Sequence, residues 1–514
     1  MRMQTAEVGT VVSTMEGPSP SSVDFVVSAE NKVHRGQFIE LDYSEGTMVC
    51  MINDLQKTNR YFERAESVKE FESNGRALFE QFPVLEWEYL LAKTRPLGVI
   101  SKEGKIKRPS FPAGPGTKVR VASNETLKKI LHFDEQKGLE VGELEFHDLK
   151  VKLSMTRLFQ KHLAILAQSG SGKSYSVSVM LEELLDRPKE NGRIAAVMFD
   201  THGEYSSFAE PQTGGKKDYS SKTVLIPSRT IKIGVPKLSA GDFAALLPGI
   251  SAPQRRDLGK AISKLKDEMK AGFGPYSLTA LTQEVLKNEE GKKTAASLSG
   301  WLFELQEMRL FEETDSFSLQ DVIKPGVLTI IDLSAETSAK RKQIIVSYFL
   351  RKMFYQRREK KLPPFAAIIE EAHNYAPEGV KFEQAMAKGI IETIAREGRK
   401  FGASICLISQ RPKRLSTTAL AQCNTHIILR ITNPYDIKHL AESSEGIDSA
   451  SERMITSLRV GEALIVGEAV GFPIFFKVRE RKSAESRHEV SLEKAALDFE
   501  DKKEKEIEEA EEFL

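Results

Sequence analysis

The segment Ala167–Ser174 constrains the fold of this chain more than any other feature. It has the sequence AQSGSGKS, follows an apolar run at 162–166, and precedes a helical pattern from Tyr175 to Leu185. A strand, a glycine-rich turn, Gly-Lys-Ser and a helix, in that order, form a phosphate-binding loop. Small residues let successive backbone N–H groups point into one concavity, and the helix N-terminus adds a positive dipole. The segment therefore predicts binding of a nucleoside triphosphate.

Each residue type in this loop has a predicted role. Lys173 supplies a compact positive charge for the β- and γ-phosphates, and the Ser174 hydroxyl is suited to bind Mg²⁺. Gly172 tolerates backbone angles that a side chain would oppose. Ala167 stands where a first glycine is usual, and it is small enough to keep the loop compact. The predicted cofactors are ATP and Mg²⁺, and the predicted nucleotide-binding residues of the loop are Ser169, Gly170, Ser171, Gly172, Lys173 and Ser174.

Composition limits the possible partners and the compartment. The 514 residues include 74 basic and 73 acidic side chains, a net charge of +1, so nucleic-acid contact requires a local patch or a ring of subunits. Cys50, Cys406 and Cys423 are far apart in the sequence, which indicates a reducing cytosol rather than a disulfide scaffold or a zinc site. No apolar run reaches the roughly 18 residues of a membrane span. A cytoplasmic protein without membrane contact is therefore predicted.

The apolar pattern predicts an α/β chain with four regions. Short strands separated by turn residues predict a small N-terminal β-barrel and linker over residues 1–125. Strands that are apolar almost throughout alternate with helices over 126–237 and 323–480, which indicates a parallel sheet buried on both faces. Residues 238–322 have helical periodicity and form a predicted insertion. The charge-dense residues 481–514 predict a tail that is a solvated helix or disordered.

An acidic pair follows one of the core strands. The apolar segment Phe365–Ile369 ends directly at Glu370 and Glu371. Ligands of such sheets bind at the carboxyl ends of the strands. Glu370 is therefore expected to face Mg²⁺, directly or through water, and Glu371 to polarise the attacking water.

Two further segments carry candidate catalytic side chains. Gln410 follows the apolar strand 404–408, where its amide is suited to sense the γ-phosphate or the attacking water. Arg396 and Arg399 end the preceding helix. In a ring of subunits, one of them, preferably Arg396, would enter the neighbouring site as an arginine finger. The alternative is a basic helix C-terminus that the helix dipole stabilises.

Another strand, 194–199, ends at Asp200. At this strand exit, Asp200 and Glu204 are placed to contact Mg²⁺-bound water. His202 is predicted to be a structural histidine rather than a metal ligand, because no second set of metal ligands accompanies it.

Four motifs together resemble the HerA family, hexameric DNA-translocating ATPases of the HerA/FtsK branch of P-loop enzymes. They are Ser-Gly-Ser-Gly-Lys-Ser at 169–174, His-Gly-Glu-Tyr at 202–205, Glu-Glu-Ala-His at 370–373 and Ser-Gln-Arg-Pro at 409–412. The resemblance extends over roughly residues 1–480. Thr201 stands where the family pattern usually has proline.

The resemblance implies a RecA-like ATPase core after a HAS-barrel-like domain. It also implies a homo-hexamer that moves double-stranded DNA as a translocase or helicase. Its partner would be a NurA-type nuclease docked on the barrel, acting in DNA end resection and recombination repair. By the matching motifs, it implies that Lys173, Ser174 and, at a basic position before the loop, Lys161 bind the nucleotide. It also implies that Glu370 and Glu371 carry out hydrolysis and that Gln410 senses the nucleotide state. Arg396 would contact the site of a neighbouring subunit, and the strands near 473–476 would pack across a neighbouring subunit.

Other functions fit the same residues. The chain could be an ATPase that scaffolds and activates a partner nuclease or defence effector, or a related conjugation- or secretion-type motor. Two basic groups are candidate DNA contacts, and each is equally well explained as a solvated face: Arg411, Lys413 and Arg414 in one, and Arg255, Arg256 and Lys260 in the other.

Overall fold

The computed structural model describes residues 7–13, 17–59, 62, 69, 88–247, 249–287, 292–380, 385–443, 447, 449–486, 493–494 and 496–501. These residues belong to two compact units. The first unit consists of Met1–Ser176, Gln410–Lys413 and Ala421–Glu480, and the second of Val177–Ser409, Arg414–Leu420 and Arg481–Leu514.

The strands, in chain order, are β1 (Glu7–Val11), β2 (Val23–Val27), β3 (Phe38–Tyr43), β4 (Gly46–Asn59), β5 (Glu88–Ser101), β6 (Ile106–Lys107), β7 (Lys118–Val121), β8 (Leu139–Leu144), β9 (Lys150–Leu153), β10 (Leu163–Leu166), β11 (Ala195–Asp200), β12 (Thr223–Pro227), β13 (Ile233–Gly234), β14 (Phe311–Glu312), β15 (Leu328–Asp332), β16 (Phe365–Ile369), β17 (Ala403–Ser409), β18 (Thr425–Ile428), β19 (Glu462–Gly467) and β20 (Ile474–Val478). The helices are α1 (Asn124–Ile130), α2 (Met155–Phe159), α3 (Lys173–Asp186), α4 (Ala240–Leu246), α5 (Ala252–Lys270), α6 (Leu278–Leu286), α7 (Lys292–Glu307), α8 (Leu319–Val322), α9 (Ala339–Arg358), α10 (Lys388–Glu397), α11 (Thr417–Leu420), α12 (Pro434–Ser443) and α13 (Ser449–Ser457). No helix of the described ranges is both long enough and apolar enough to cross a membrane.

The N-terminal strands close into a barrel. Their order is β2-β1-β7-β3-β4-β5, and β2 also pairs with β5, which joins the two edges of the sheet. Every pairing in this barrel is antiparallel. Alternate side chains point inward, and Phe25, Ile39 and Val99 are fully buried there. The predicted barrel is confirmed.

Two barrel strands are much longer than the sequence indicates. β4 and β5 each have 14 residues, whereas the apolar pattern predicts only 48–51 and 97–100. The additional residues pair with each other, for example Asn59 with Glu88, and most of them are exposed or half-buried. Because these additional residues are mostly polar, hydrophobic periodicity does not reveal this part of β4 and β5.

The first unit also contains a mixed sheet of order β10-β18-β19-β20-β8-β9. β10 and β18 are parallel, and the remaining neighbours are antiparallel. β19 and β20 form an antiparallel pair that follows β18 in this sheet. β8 and β9 were not predicted as strands, because their charged residues interrupt the apolar pattern. This sheet places β10 directly before the phosphate loop.

His147, between β8 and β9, makes the stability of the first unit depend on pH. Its Nε2 accepts the backbone N–H of Phe38 at 3.1 Å, and burial lowers the pKa of His147 to about 4. In the unfolded chain the imidazole of His147 binds a proton near pH 6.5. The free energy of unfolding is therefore highest above that pH and falls as the pH decreases toward 4. The expected loss is on the order of 2 kcal/mol. Urea unfolding at pH 7 and pH 5 should show a smaller loss in His147→Gln than in the wild type, and an equal loss would contradict this assignment.

The second unit contains a five-stranded sheet of order β12-β15-β11-β16-β17, and every pairing in it is parallel. β11, β16 and β17 are buried along their whole length. Apolar side chains on both faces of these strands require cover on both sides. The parallel α/β core predicted from the Val- and Ile-rich strands is confirmed.

Helices α4–α8 follow this unit's β13 and precede β15. Ser239 and Ser251 begin α4 and α5 with capping boxes, and Ser277 caps α6. Leu258 of α5, Leu281 of α6 and Leu298 of α7 are fully buried. The helices fall within the predicted insertion 238–322, whose exact boundaries stay a prediction.

The first residues of the predicted tail pack against the rest of the second unit, and Arg481 and Ser483 are buried. The Ser483 backbone N–H and hydroxyl both donate to the Glu182 carboxylate at 2.7 Å, and the Arg481 guanidinium lies over the Phe208 ring. Ser486 donates to the Glu204 carbonyl at 2.6 Å. These polar contacts fix residues 481–486 within the second unit, although charge density alone predicts a solvated segment.

Candidate active site

The phosphate loop adopts backbone angles that glycine favours. Gly170 and Gly172, between β10 and α3, have φ angles of +73° and +89°. A Cβ atom at Gly172 would also lie 3.4 Å from the backbone nitrogen of Gly461. The motif therefore has glycine at these two positions because the loop backbone requires positive φ angles there.

The start of the loop is anchored by a neighbouring segment of the same unit. The Gln168 side-chain oxygen accepts the Thr432 N–H at 3.1 Å and the Thr432 hydroxyl at 2.8 Å. The Gln168 N–H donates to the Arg430 carbonyl at 3.0 Å, and the Ser171 hydroxyl donates to the Gln168 carbonyl at 2.7 Å. These bonds hold the loop in shape before a nucleotide binds, which lowers the ordering cost of binding.

The charged residues near the loop differ in their surroundings. Lys173 is buried and Ser174 half-buried, and they are the first two residues of α3. Lys161 forms an ion pair with Glu468, whose carboxylate also accepts the Asn424 side-chain amide at 3.4 Å. A nucleotide contact by Lys161 would have to compete with Glu468, and that contact stays a prediction.

In the second unit, Glu370 and Glu371 directly follow β16, and both are buried. Glu371 has a φ angle of +49°, in the left-handed region that residues other than glycine rarely adopt. Such a conformation costs about 1–3 kcal/mol and is common at functional sites. The strained backbone supports a functional role for Glu371.

Thr201 holds the first of the two glutamates. Its N–H donates to Glu370 Oε2 at 2.9 Å, and its hydroxyl lies 3.2 Å from both the Glu370 carbonyl and the Tyr375 hydroxyl. A proline at this position, as in the usual family pattern, would have no N–H to donate. Neither this role of Thr201 nor that of Tyr375 is visible in the sequence, because 169 and 174 residues separate the partners.

Asp200 organises the turn that follows β11. Its Oδ1 accepts the N–H groups of Gly203 at 2.7 Å and Glu204 at 3.2 Å, and its Oδ2 accepts that of Tyr205 at 3.0 Å. Burial raises the pKa of Asp200, and the nearby Glu370 carboxylate raises it further, while the backbone bonds oppose this shift. Its carboxylate is already used by the backbone, and its contact with Mg²⁺-bound water stays a prediction.

His373 orients the second glutamate. Its Nδ1 lies 3.2 Å from Glu371 Oε2 and 3.1 Å from the Ser409 hydroxyl at the end of β17. Ser409 is fully buried. The side chain of Glu371 is thus held from a second strand of the sheet. The Glu-Glu-Ala-His motif contains His373, but its spacing alone does not reveal this role.

The two glutamates also form a potential metal site. Ligand atoms of Glu370, Glu371 and His202 all lie within 4.8 Å of one another. The two carboxylates are the hard oxygen donors that Mg²⁺ prefers, whereas imidazole is a ligand of transition metals. The Glu370 carboxylate raises the pKa of the half-exposed His202. The donor set therefore fits Mg²⁺ through its carboxylates, and the His202 backbone N–H donates to Glu370 Oε2 at 3.3 Å.

The remaining predicted residues lie at element ends. Gln410 is half-buried and is the first residue after β17. Arg396 is exposed in the last turn of α10, and Arg399 is exposed in the short helical turn that follows. An exposed arginine at a helix end is accessible to a second subunit. The sensing role of Gln410 and the role of Arg396 in trans stay predictions.

We expect Thr201→Val to weaken both the fold and the hydrolysis of ATP. The variant keeps the side-chain volume but leaves the buried Tyr375 hydroxyl without this partner, which should lower the free energy of unfolding by about 1–2 kcal/mol. Thr201→Ser keeps the hydroxyl and is the matched control. Urea unfolding and steady-state ATPase assays measure the two effects, and a Thr201→Val protein as stable and active as Thr201→Ser would contradict this role.

Comparison with known proteins assigns the family. The family described as helicase HerA, central domain, matches residues 139–353. A probable helicase of Methanocaldococcus jannaschii is 30% identical over 474 residues, which cover 86% of each chain. The DNA double-strand break repair helicase HerA of Sulfurisphaera tokodaii is 28% identical over 477 residues, 88% of this chain and 90% of that protein.

A solved structure shows the same fold. VirB4 of Thermoanaerobacter pseudethanolicus superposes with a TM-score of 0.52 at 14% identity, over 68% of this chain and 98% of that one. It confirms the fold class and no more. Together, the matches confirm the prediction of an ATP-hydrolysing enzyme of the helicase or translocase class, and the chain belongs to the HerA helicase family.

Proposed function

We propose that this protein is an ATP-driven translocase or helicase of double-stranded DNA that acts in the repair of double-strand breaks. Relatives aligned over most of their length carry the name of such a repair helicase. The observation that carries the proposal is the buried pair Glu370–Glu371, with Glu371 strained and oriented by His373. A protein that binds nucleotide without hydrolysing it has no need for a carboxylate held in place to activate water.

In the proposed reaction, the loop N–H groups and Lys173 bind the phosphates of ATP. Ser174 and Glu370 would hold Mg²⁺, which neutralises charge on the β- and γ-phosphates when bound. Glu371 accepts a proton from the attacking water, and His373 keeps the Glu371 carboxylate oriented. Gln410 would sense the γ-phosphate.

We propose that six copies assemble into a ring and that Arg396 of each copy completes the site of a neighbour. Its exposure at the end of α10 supports this role. The closed N-terminal barrel would dock a NurA-type nuclease, so that hydrolysis moves DNA toward the nuclease during end resection. A ring of six copies repeats each local basic patch six times, and a chain of net charge +1 can still attract DNA.

DNA contact is proposed to involve phosphates rather than bases, which makes the motor indifferent to sequence. The side chains of two candidate groups are exposed, as such contact requires: Arg411, Lys413 and Arg414 in one, and Arg255, Arg256 and Lys260 in the other. Because each phosphate contact releases counterions, binding should weaken steeply as salt is raised.

The proposal is tested by ATPase assays with and without linear duplex DNA. Linear duplex should stimulate the wild type, while Lys173→Ala should show neither basal nor stimulated hydrolysis, because the loop loses its phosphate-binding charge. If duplex DNA neither binds nor stimulates hydrolysis, the translocase proposal fails. Nuclease activation by the ATP-bound protein without stimulation by DNA would instead favour a scaffold for a partner nuclease.

A further inference from the structure

The second unit contains a cavity of about 850 Å³ that none of the proposed steps uses. Gly249, between α4 and α5, and Trp301, on α7, line one part of it. Lys340 and Lys342, in the first turn of α9, line another. Its floor includes Asn374 and Tyr375, which lie just after the glutamate pair. The volume falls within the roughly 300–1,000 Å³ typical of small-ligand sites.

The charges around this cavity favour an anion. Among the described residues, its lining includes two lysines and no carboxylate. Lys340 is paired with Glu304, but the half-buried Lys342 has no carboxylate within ion-pair distance in the part of the chain that the structure describes. The dipole of the 20-residue helix α9 adds positive potential near these lysines. A phosphate group fits this arrangement, because a lysine ammonium binds phosphate as a point charge.

The same cavity has an aromatic wall. Trp301, on α7, is half-buried and lines the space, and the buried Met386 and Tyr375 supply further apolar surface. A nucleobase of any kind can stack on an aromatic ring, because every base has a π-face. A phosphate site and a stacking surface in one cavity match the chemistry of a nucleotide.

We propose that this cavity binds a nucleotide unit, with the phosphate at Lys340 and Lys342 and the base against Trp301. The unit comes either from a nucleic-acid strand or from a free nucleotide that is not the substrate. The first source rests on the proposed function, and the second does not.

This site is connected to the hydrolytic glutamates by hydrogen bonds within the same unit. Thr201 lines the cavity and donates its N–H to Glu370. Gln343 also lines it; its amide donates to the Asn374 carbonyl at 2.5 Å and accepts the Ala387 N–H at 3.0 Å. A ligand that moves these side chains changes the position of Glu370 and the segment after Glu371.

Trp301 provides a direct measurement of binding. The chain has one other tryptophan, Trp87, so Trp87→Phe leaves Trp301 as the only indole. Lys173→Ala in the same protein removes nucleotide binding at the phosphate loop. In this background, AMP, a short single-stranded oligonucleotide and the same sequence as a duplex are each titrated while Trp301 fluorescence is recorded. A saturable change is expected for at least one of them.

Charge variants decide whether the cavity is the site. Loss of a charged hydrogen bond corresponds to about tenfold or more in affinity, so Lys342→Ala should weaken binding by that factor. Lys342→Arg should retain most of it. Lys270→Ala removes an exposed lysine elsewhere in the helical segment and should leave affinity unchanged. Melting temperatures confirm that each variant is folded.

The outcomes separate the two sources and the two proposals. Tighter binding of the oligonucleotide than of AMP identifies a strand, and equal binding identifies a free nucleotide. No saturable change with any ligand, or an unchanged affinity in Lys342→Ala, overturns the cavity proposal. If duplex DNA stimulates hydrolysis but no ligand changes Trp301 fluorescence, the proposed function stands and the cavity proposal fails. If a ligand changes Trp301 fluorescence but duplex DNA does not stimulate hydrolysis, only the proposed function fails.

Discussion

Replacing Glu371 with glutamine is expected to reduce ATP hydrolysis by about 10²–10⁴-fold, the usual contribution of a general base. Glutamine has nearly the same shape but cannot accept the proton of the attacking water. Binding of ATP should be retained, because the phosphate-binding groups are unchanged. The protein should therefore accumulate in an ATP-bound form, which equilibrium binding of a labelled nucleotide and single-turnover hydrolysis will measure.

The matched control is Glu359→Gln, which neutralises an exposed carboxylate that forms an ion pair with Lys361. Its rate should equal that of the wild type. The hydrolysis rate of His373→Ala should lie between those of Glu371→Gln and the wild type. This variant leaves Glu371 in place but removes a group that orients the Glu371 carboxylate. Normal turnover by Glu371→Gln would show that another group activates the water.

The second large effect concerns Arg396. As an arginine finger, it would stabilise charge that develops on the phosphates of a neighbouring subunit, a contribution of about 10³–10⁵-fold. Arg396→Ala should bind ATP normally and hydrolyse it slowly by that factor. Arg399→Ala, which removes the other exposed arginine of this helix end, is the control and should keep most of the activity.

Mixing subunits tests whether this contact occurs in trans. A ring that contains both Arg396→Ala and Glu371→Gln subunits has some interfaces where an intact Glu371 meets an intact Arg396 from the neighbour. Hydrolysis should therefore reappear when the two inactive proteins are mixed and allowed to exchange subunits. If exchange is demonstrated by labelled subunits and no activity returns, Arg396 does not act in trans.

The sequence predicts the strands of the core well because their apolar runs are continuous. The prediction for β16 matches the structure residue for residue, and the acidic pair follows it directly. In a sheet buried on both faces, strands are nearly continuous apolar runs, and in β16 the first charged residue marks the strand exit. The phosphate loop is similarly predictable, because its backbone angles require glycine at fixed spacing.

Other features depend on contacts that no local pattern contains. Thr201 contacts both Glu370 and Tyr375 only because β11 and β16 are neighbours in the sheet. The strands β8 and β9 carry glutamate and lysine on their exposed and half-buried positions, so their pairing is not visible as an apolar run. The buried start of the C-terminal tail is held by hydrogen bonds to Glu182, which composition cannot reveal.

The most direct test of the central proposal is displacement of a third strand from duplex DNA. A triplex-forming oligonucleotide is annealed near one end of a linear duplex, and its release is followed after ATP is added. The wild type should release it only when ATP can be hydrolysed, and Glu371→Gln should leave it in place. A wild-type protein that hydrolyses ATP on this DNA but never displaces the third strand would contradict ATP-driven movement along the duplex.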